Sequence, residues 1–232
     1  MKGRELTTQE SNQTGQHPAP EQASSFGATL LRVAWLAILL GLAIEVLMLV
    51  LGGAFGNVLG IGPVIADLVR NVTWSVFVCV GLAVGTAVVK ARVPVMGLTG
   101  LISAPLAFQA SRVMHKGTLE ALAATGTIAS SGTSTFLVAL IKGIEYGCLG
   151  MIIGWVGTRP WGGAMAHIAA GLAIGLVFGG SLLTIAYVSA PEPLTTADMV
   201  SRGVNEILFP VGCSLVLFSA AALGRKAGGQ GG

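Results

Sequence analysis

The sequence predicts an all-α integral membrane protein, a six-transmembrane helical bundle with glycine-rich helix–helix packing. Hydrophobic residues make up 53% of the 232 residues and charged residues only 10%, whereas soluble domains carry about 25% charged residues. The apolar residues fall in runs of about 20, the length that crosses a bilayer. Glycine occurs 34 times, and in membrane helices glycine lets backbones approach closely.

The chain divides into a membrane domain and two tails. Residues 1–28 are rich in Gln, Ser, Thr and Pro, which favours a disordered polar cytoplasmic tail. This segment does not resemble a secretory signal, because the following apolar run is too long and lacks a small-residue cleavage site. We expect residues 29–226 to form the six-span domain and residues 227–232 to be a flexible C-terminal tail.

Six apolar runs are the predicted spans, at residues 29–53, 71–90, 94–112, 136–157, 164–189 and 204–224. Residues 112–135 either extend the third span or form a separate surface helix. The segments "GPVIADLVRN" and "LTTADMVSRG" are expected to be interfacial helices before the second and sixth spans. Pro63 suits a helix start, and Thr195 with Asp198 three residues later weakly suggests a capping box.

The same two segments share a short pattern that could mark an internal repeat. Residues 66–69 read Ala-Asp-Leu-Val and residues 197–200 read Ala-Asp-Met-Val, and each is followed by Arg, Val and Phe at similar spacing. Internal repeats are common in transporters. The match is short and does not fit a simple three-plus-three arrangement, so chance similarity stays the alternative.

The basic residues in the loops predict the orientation. Eight fall on one side of the predicted spans: Lys2, Arg4, Arg32, Lys90, Arg92, Arg159, Arg225 and Lys226. Four fall on the other: Arg70, Arg112, Lys116 and Arg202. The positive-inside rule therefore predicts a multi-pass protein of the cytoplasmic (inner) membrane with both termini in the cytoplasm.

Two glycine faces predict how the fourth and fifth spans pack. On the fourth span, one narrow face carries Gly143, Gly147, Gly150, Gly154 and Gly157. On the fifth span, a spacing of four carries Gly163, His167, Gly171, Gly175 and Gly179. The short link "TRPWG" makes these helices antiparallel neighbours. We therefore expect the two glycine faces to meet, almost backbone to backbone.

Three ionisable residues lie deep within predicted spans: Glu45, Lys142 and Glu145. Such residues cost about 2.5–3.5 kcal/mol on insertion scales and are functional-site hypotheses by default. Glu45 and Glu145 lie at similar depths, roughly 12 Å at 1.5 Å per residue. The functional interpretation is one polar cluster on a substrate or proton route, and the structural one is a neutralised network that locks the bundle.

Two further residues carry open interpretations. His167 either fills a slot opposite Gly150 or Gly154 and bonds a backbone carbonyl, or titrates near physiological pH. Glu206, at the start of the sixth span, either reaches interfacial water or forms a vestibule acid above a kink at Pro210.

These observations predict a small transporter or channel-like permease that uses the Glu45/Lys142/Glu145 cluster. The alternative is a non-catalytic membrane subunit or assembly factor of a larger complex. No nucleotide-binding, zinc-protease or hydrolase motif is present, so we expect no enzyme activity, no cofactor and no metal. The expected partners are the lipid bilayer, further copies of the chain or other membrane subunits, and a small solute or ion, but no nucleic acid.

Overall fold

The fold is a bundle of six long helices in a computed structural model that describes residues 20–56, 60–87, 91–122, 134–190 and 192–228. The helices, in chain order, are α1 (Pro20–Ala54), α2 (Ile61–Val84), α3 (Arg92–Ala121), α4 (Thr135–Val156), α5 (Ala164–Ser189) and α6 (Thr196–Gly228). All six are long and apolar enough to cross a membrane. The predicted six-span membrane bundle is confirmed.

Several helices are longer than the predicted spans. α1 begins at Pro20, before the predicted boundary at residue 28, and α3 continues to Ala121. The predicted tail residues 1–19 and 229–232 lie outside the described residues. The two segments expected to be separate interfacial helices are instead the first turns of α2 and α6. Pro63 does not interrupt α2, because the N–H groups of a first helical turn have no partner within the helix.

The start of α6 carries the predicted capping box. The backbone N–H of Asp198 donates to Thr195 Oγ1 at 3.1 Å, and Asp198 Oδ2 accepts from the Thr195 N–H at 3.3 Å. Two backbone donors at the helix start are thereby satisfied. The local sequence alone therefore determined this helix end.

Consecutive helices run antiparallel, and the bundle closes where α1 packs on α6 as well as on α2. Ser75 of α2 donates a hydrogen bond to the carbonyl oxygen of Ala37 in α1 at 2.7 Å. Leu40 of α1 lies against Gly212 of α6. We call the end with the α1–α2, α3–α4 and α5–α6 connections the loop end, and the opposite end the terminal end.

The centre of the bundle lies between α2, α4 and α6. Trp74 packs edge-on against Tyr146 and Phe209, with ring centroids 5.6 and 6.3 Å away. Deeper along the same helices, the Sγ atoms of Cys79 and Cys213 lie 3.1 Å apart, and both residues are fully buried. Edge-to-face aromatic pairs add about 0.5–1.5 kcal/mol each beyond area burial. These contacts fix the positions of the three helices around the site described below.

The glycine face of α4 packs on α3, so the predicted contact between the glycine faces of α4 and α5 is wrong. A Cβ atom at Gly150 would meet the carbonyl oxygen of Met96, and one at Gly100 would meet that of Tyr146. Three more glycines of α4 lie against residues 92–105 of α3, namely Gly143, Gly147 and Gly154. The α3 helix supplies its own glycines to this contact, which lets the two backbones approach.

The glycines of α5 pack on α6 instead. Gly171 lies against Val211, Gly175 against Ile207, and Gly179 against Glu206; the three contacts are backbone or Cβ contacts. Gly175 and Gly179 bound a π-helical segment, Gly175–Gly179. The short α4–α5 connection makes these helices neighbours along the chain, but it does not decide which face each one turns toward the other.

Candidate functional site

A buried lysine on α4 binds two carboxyl groups and forms the centre of the candidate site. Lys142 Nζ donates to Glu145 Oε2 at 2.9 Å and to Glu206 Oε2 of α6. The side chains of Lys142 and Glu145 are 8% and 0% exposed, and that of Glu206 is 22% exposed. We call these three residues the lysine triad. It joins α4 to α6 within the apolar core.

The packing of α4 explains why the triad faces the bundle centre. Residues three apart on a helix lie on the same side, so Lys142 and Glu145 point together. The glycine face of the same helix is occupied by α3. The polar pair therefore faces away from α3, toward Glu206 on α6.

Aromatic rings form the wall of the triad. Lys142 Nζ lies 5.7 Å from the ring centroid of Trp74 and 5.9 Å from that of Tyr146. Ring faces attract a cation electrostatically, which helps to hold the ammonium group in the core. Glu145 Oε1 is buried and has no hydrogen-bond partner among the described residues. The triad thus offers one carboxyl oxygen without a partner at the buried centre of the bundle.

Glu45 lies in a separate polar pair, so the predicted single cluster with Lys142 and Glu145 is divided in two. Asn71 Nδ2 donates to Glu45 Oε2 at 2.8 Å, and Glu45 is only 5% exposed. No hydrogen bond or ion pair within the described part of the chain joins Glu45 to the triad. The reason is the position of α1, which packs on α2 and α6.

His167 bonds a backbone carbonyl, as one interpretation of the sequence expected, but in a different place. Its Nδ1 lies 2.9 Å from the carbonyl oxygen of Gly163, and its ring centroid lies 5.1 Å from that of Phe218 in α6. The expected slot opposite Gly150 or Gly154 is wrong, because α3 occupies that face. A carbonyl only accepts, so the proton of this hydrogen bond is on Nδ1.

The sequence did not predict that Glu206 pairs with a lysine. Glu206 was expected to reach interfacial water or to form a vestibule acid. The structure pairs it with Lys142. One signal was available: α4 and α6 both start at the loop end, so Lys142 and Glu206 lie at similar depths. Asn71 and Trp74, the polar and aromatic partners from α2, carried no sequence signal that separated them from other core positions.

A second charged group lies at the loop end. Asp67 of α2 contacts Arg70 at 3.1 Å and His115 of α3 at 3.2 Å. The side chain of Arg70 is 42% exposed outside the bundle, and the group lies near the start of α2. It ties the start of α2 to residues 112–121, which extend α3 beyond the predicted span.

No protein-family model, curated protein sequence or solved structure matches this chain. Within the described ranges, no group of three His, Cys, Asp or Glu side chains could hold a metal ion. Function must therefore be inferred from the chemistry of the lysine triad and from its position in the bundle.

Proposed function

We propose that this protein is a small transporter or channel-like permease whose permeation route passes the lysine triad. The observation that carries the proposal is the unpartnered Glu145 Oε1, buried beside a lysine and a second carboxylate. A buried polar oxygen without a partner costs about 1–3 kcal/mol, and more if charged. Such a cost is ordinarily retained where the group has a function, and within membrane spans ionisable groups typically mark solute or ion pathways.

The position of Glu206 supports the same proposal. It is the most exposed member of the triad and lies toward the loop end of α6. Gly179 of α5 contacts Glu206 Cβ within the π-helical segment. Such segments are frequent at functional sites. Movement of α5 against α6 would open or close access to this carboxylate.

The second candidate is a non-transporting membrane subunit, and the pairing of Lys142 favours it. Both carboxyl groups bind the same ammonium group, and the contact joins α4 to α6. A polar contact of this kind could serve only to set the arrangement of the helices. Accessibility of the core to water distinguishes the two functions.

The test is a thiol-labelling experiment in a background without Cys79, Cys148 and Cys213. Single cysteines replace Ala139 and Leu149, which are buried on α4 on the loop side and the terminal side of the triad. A small membrane-impermeant reagent is added to either face of oriented vesicles. We expect Ala139→Cys to react from the loop side and Leu149→Cys from the terminal side.

The matched control is Ile144→Cys, which lies on the same helix with its side chain 43% exposed on the outer surface of the bundle. In the bilayer this surface is in contact with lipid, so a hydrophilic reagent should not react there. Reaction at only one buried position, or at neither, contradicts a permeation route and supports the subunit.

A further inference from the structure

We propose that Glu145 is a proton-binding site and that the proton is the ion which the lysine triad exchanges. The inference depends on the proposed function in one respect, because it names the ion that the permeation route handles. Its physical basis is the charge of the triad, the burial of Glu145 and the number of oxygens around it.

The triad would carry a net negative charge if all three of its side chains were ionised. Lys142 supplies one cation, and Glu145 and Glu206 together supply two carboxyl groups. A net negative charge in an apolar core is unfavourable by several kcal/mol, and buried groups of this kind neutralise instead. Glu206 is 22% exposed and Glu145 is 0% exposed. The neutral, protonated group is therefore Glu145, and Lys142 pairs with the Glu206 carboxylate.

The surroundings of Glu145 fit a proton better than a metal cation, because the Lys142 ammonium group 2.9 Å from Glu145 Oε2 would repel a second cation there. A protein site for Ca²⁺ supplies most of about six to eight oxygen ligands at roughly 2.3–2.6 Å. Within the described ranges, no third carboxylate, cysteine or histidine joins Glu145 and Glu206 to form such a set. A proton needs a single oxygen, and Glu145 Oε1 is free of other partners.

No other group competes for this proton, because the buried phenol of Tyr146, next to Glu145 on α4, already carries its own proton at neutral pH. Lys142 on the same helix and Glu206 on α6 are the charged residues in contact with Glu145. At the loop end, Asp67 of α2 binds Arg70 of the same helix and His115 of α3, and Arg112 donates to Thr135. Glu45 of α1 is held by Asn71 of α2, and His167 of α5 packs on Phe218.

The same contacts give a balanced transfer step. A proton from water at the loop end binds the Glu206 carboxylate. The Lys142 ammonium then passes one proton to the Glu145 carboxylate, to which it is hydrogen-bonded at 2.9 Å. It regains a proton from the Glu206 carboxyl. The lysine ends unchanged, and one proton has moved from Glu206 to Glu145.

The test measures the C=O stretching band of protonated carboxyl groups by infrared spectroscopy of the full chain in nanodiscs. Wild type should show a band at neutral pH that shifts in D₂O, and Glu145→Gln should lose one protonated carboxyl per protein. Glu206→Gln should also lose this protonated carboxyl, because Glu145 then becomes the sole counter-ion of Lys142 and is ionised. Glu45→Gln, which removes the other buried carboxyl, and the surface variant Glu120→Gln should both keep this band.

The wild-type pH titration requires no variant, and Glu145→Asp, which keeps the charge count, should shift the frequency of the band. Absence of the band in wild type, or its persistence in Glu145→Gln, overturns the proton site. A band without labelling at Ala139→Cys and Leu149→Cys keeps the proton site and contradicts a water-filled route wide enough for a solute. Labelling at both positions without a band keeps permeation and overturns the proton site.

Discussion

Glu45 shows how strongly a buried carboxyl depends on a single neighbouring side chain. It is 5% exposed, and its hydrogen bond comes from the amide of Asn71 at 2.8 Å. Lipid offers no replacement donor, so loss of the Asn71 amide would leave this carboxyl oxygen without its hydrogen bond. The contact joins α1 to α2 inside the bundle.

We expect Asn71→Leu to destabilise the protein by about 1–3 kcal/mol, because the Glu45 carboxyl is left buried without a donor. Glu45→Gln should have a much smaller effect, since its carboxamide oxygen still accepts from Asn71. Thermal unfolding in detergent measures both. Equal stability of Asn71→Leu and wild type would contradict the assigned hydrogen bond.

The lysine triad is the second buried polar group, and it has more contacts than Glu45. Lys142 touches two carboxyl groups and two aromatic rings, on three helices. Glu45 touches one amide on one neighbouring helix. The two polar groups share a similar depth and separate environments, so a change at Glu45 should leave the chemistry of the triad intact.

At the scale of helices, glycines determine how closely neighbouring elements approach. The α3–α4 contact brings Gly100 against the backbone of Tyr146 and Gly150 against that of Met96. A backbone carbonyl cannot rotate away from an added methyl group as a flexible side chain can. The tolerance of these positions for alanine therefore reports directly on the packing of the two helices.

We expect Gly100→Ala and Gly150→Ala each to lower the stability by about 1–3 kcal/mol, the usual cost of overpacking. The matched control is Gly180→Ala on α5, where no neighbouring atom lies within 4 Å of an added Cβ. This control should be as stable as wild type or slightly more stable, since alanine has the higher helix propensity. Unchanged melting of the first two variants in detergent would contradict the α3–α4 packing.

Two helix pairs use the same close contact. In α1–α2, Gly41 meets Val72 and the hydroxyl of Ser75. In α5–α6, Gly171 meets Val211 and the hydroxyl of Ser214. The contact recurs eight residues further along α6 than the Ala-Asp pattern of residues 66–69 and 197–200 implies. The two phenylalanines that follow that pattern also differ, because Phe77 is 48% exposed and Phe209 only 4%.

At the scale of the whole molecule, the two ends of the bundle differ in the charged residues that they carry. The terminal end includes Arg92 and Arg159, and the loop end carries the Asp67, Arg70 and His115 group. An even number of spans places the start of α1 and the end of α6 on the same side. Because more basic residues lie at the terminal end, we propose that this end faces the cytoplasm.

Reporter fusions test this orientation in a bacterial cytoplasmic membrane. A fluorescent protein that folds only in the cytoplasm should be active after residue 232, and alkaline phosphatase, which is active only outside, should be active within residues 123–133. A phosphatase fusion in the α4–α5 connection, residues 157–163, is the inactive control. The reverse pattern would contradict the proposed orientation and place the exposed edge of Glu206 on the cytoplasmic side.

Apolar length and local hydrogen bonds determined the six spans and the Thr195 cap, because both depend on residues close together in the chain. Partner choice between helices depended on shape across the bundle. The glycines of α4 predicted a tight contact but not that α3 would supply it, since any helix with a small-residue face satisfies the same pattern. For the same reason, Lys142 and Glu145 were visible as a pair from their spacing of three. Their contact with Glu206 depends on the packing of α6 beside α4. The separation of Glu45 depends on the packing of α1 against α2 and α6.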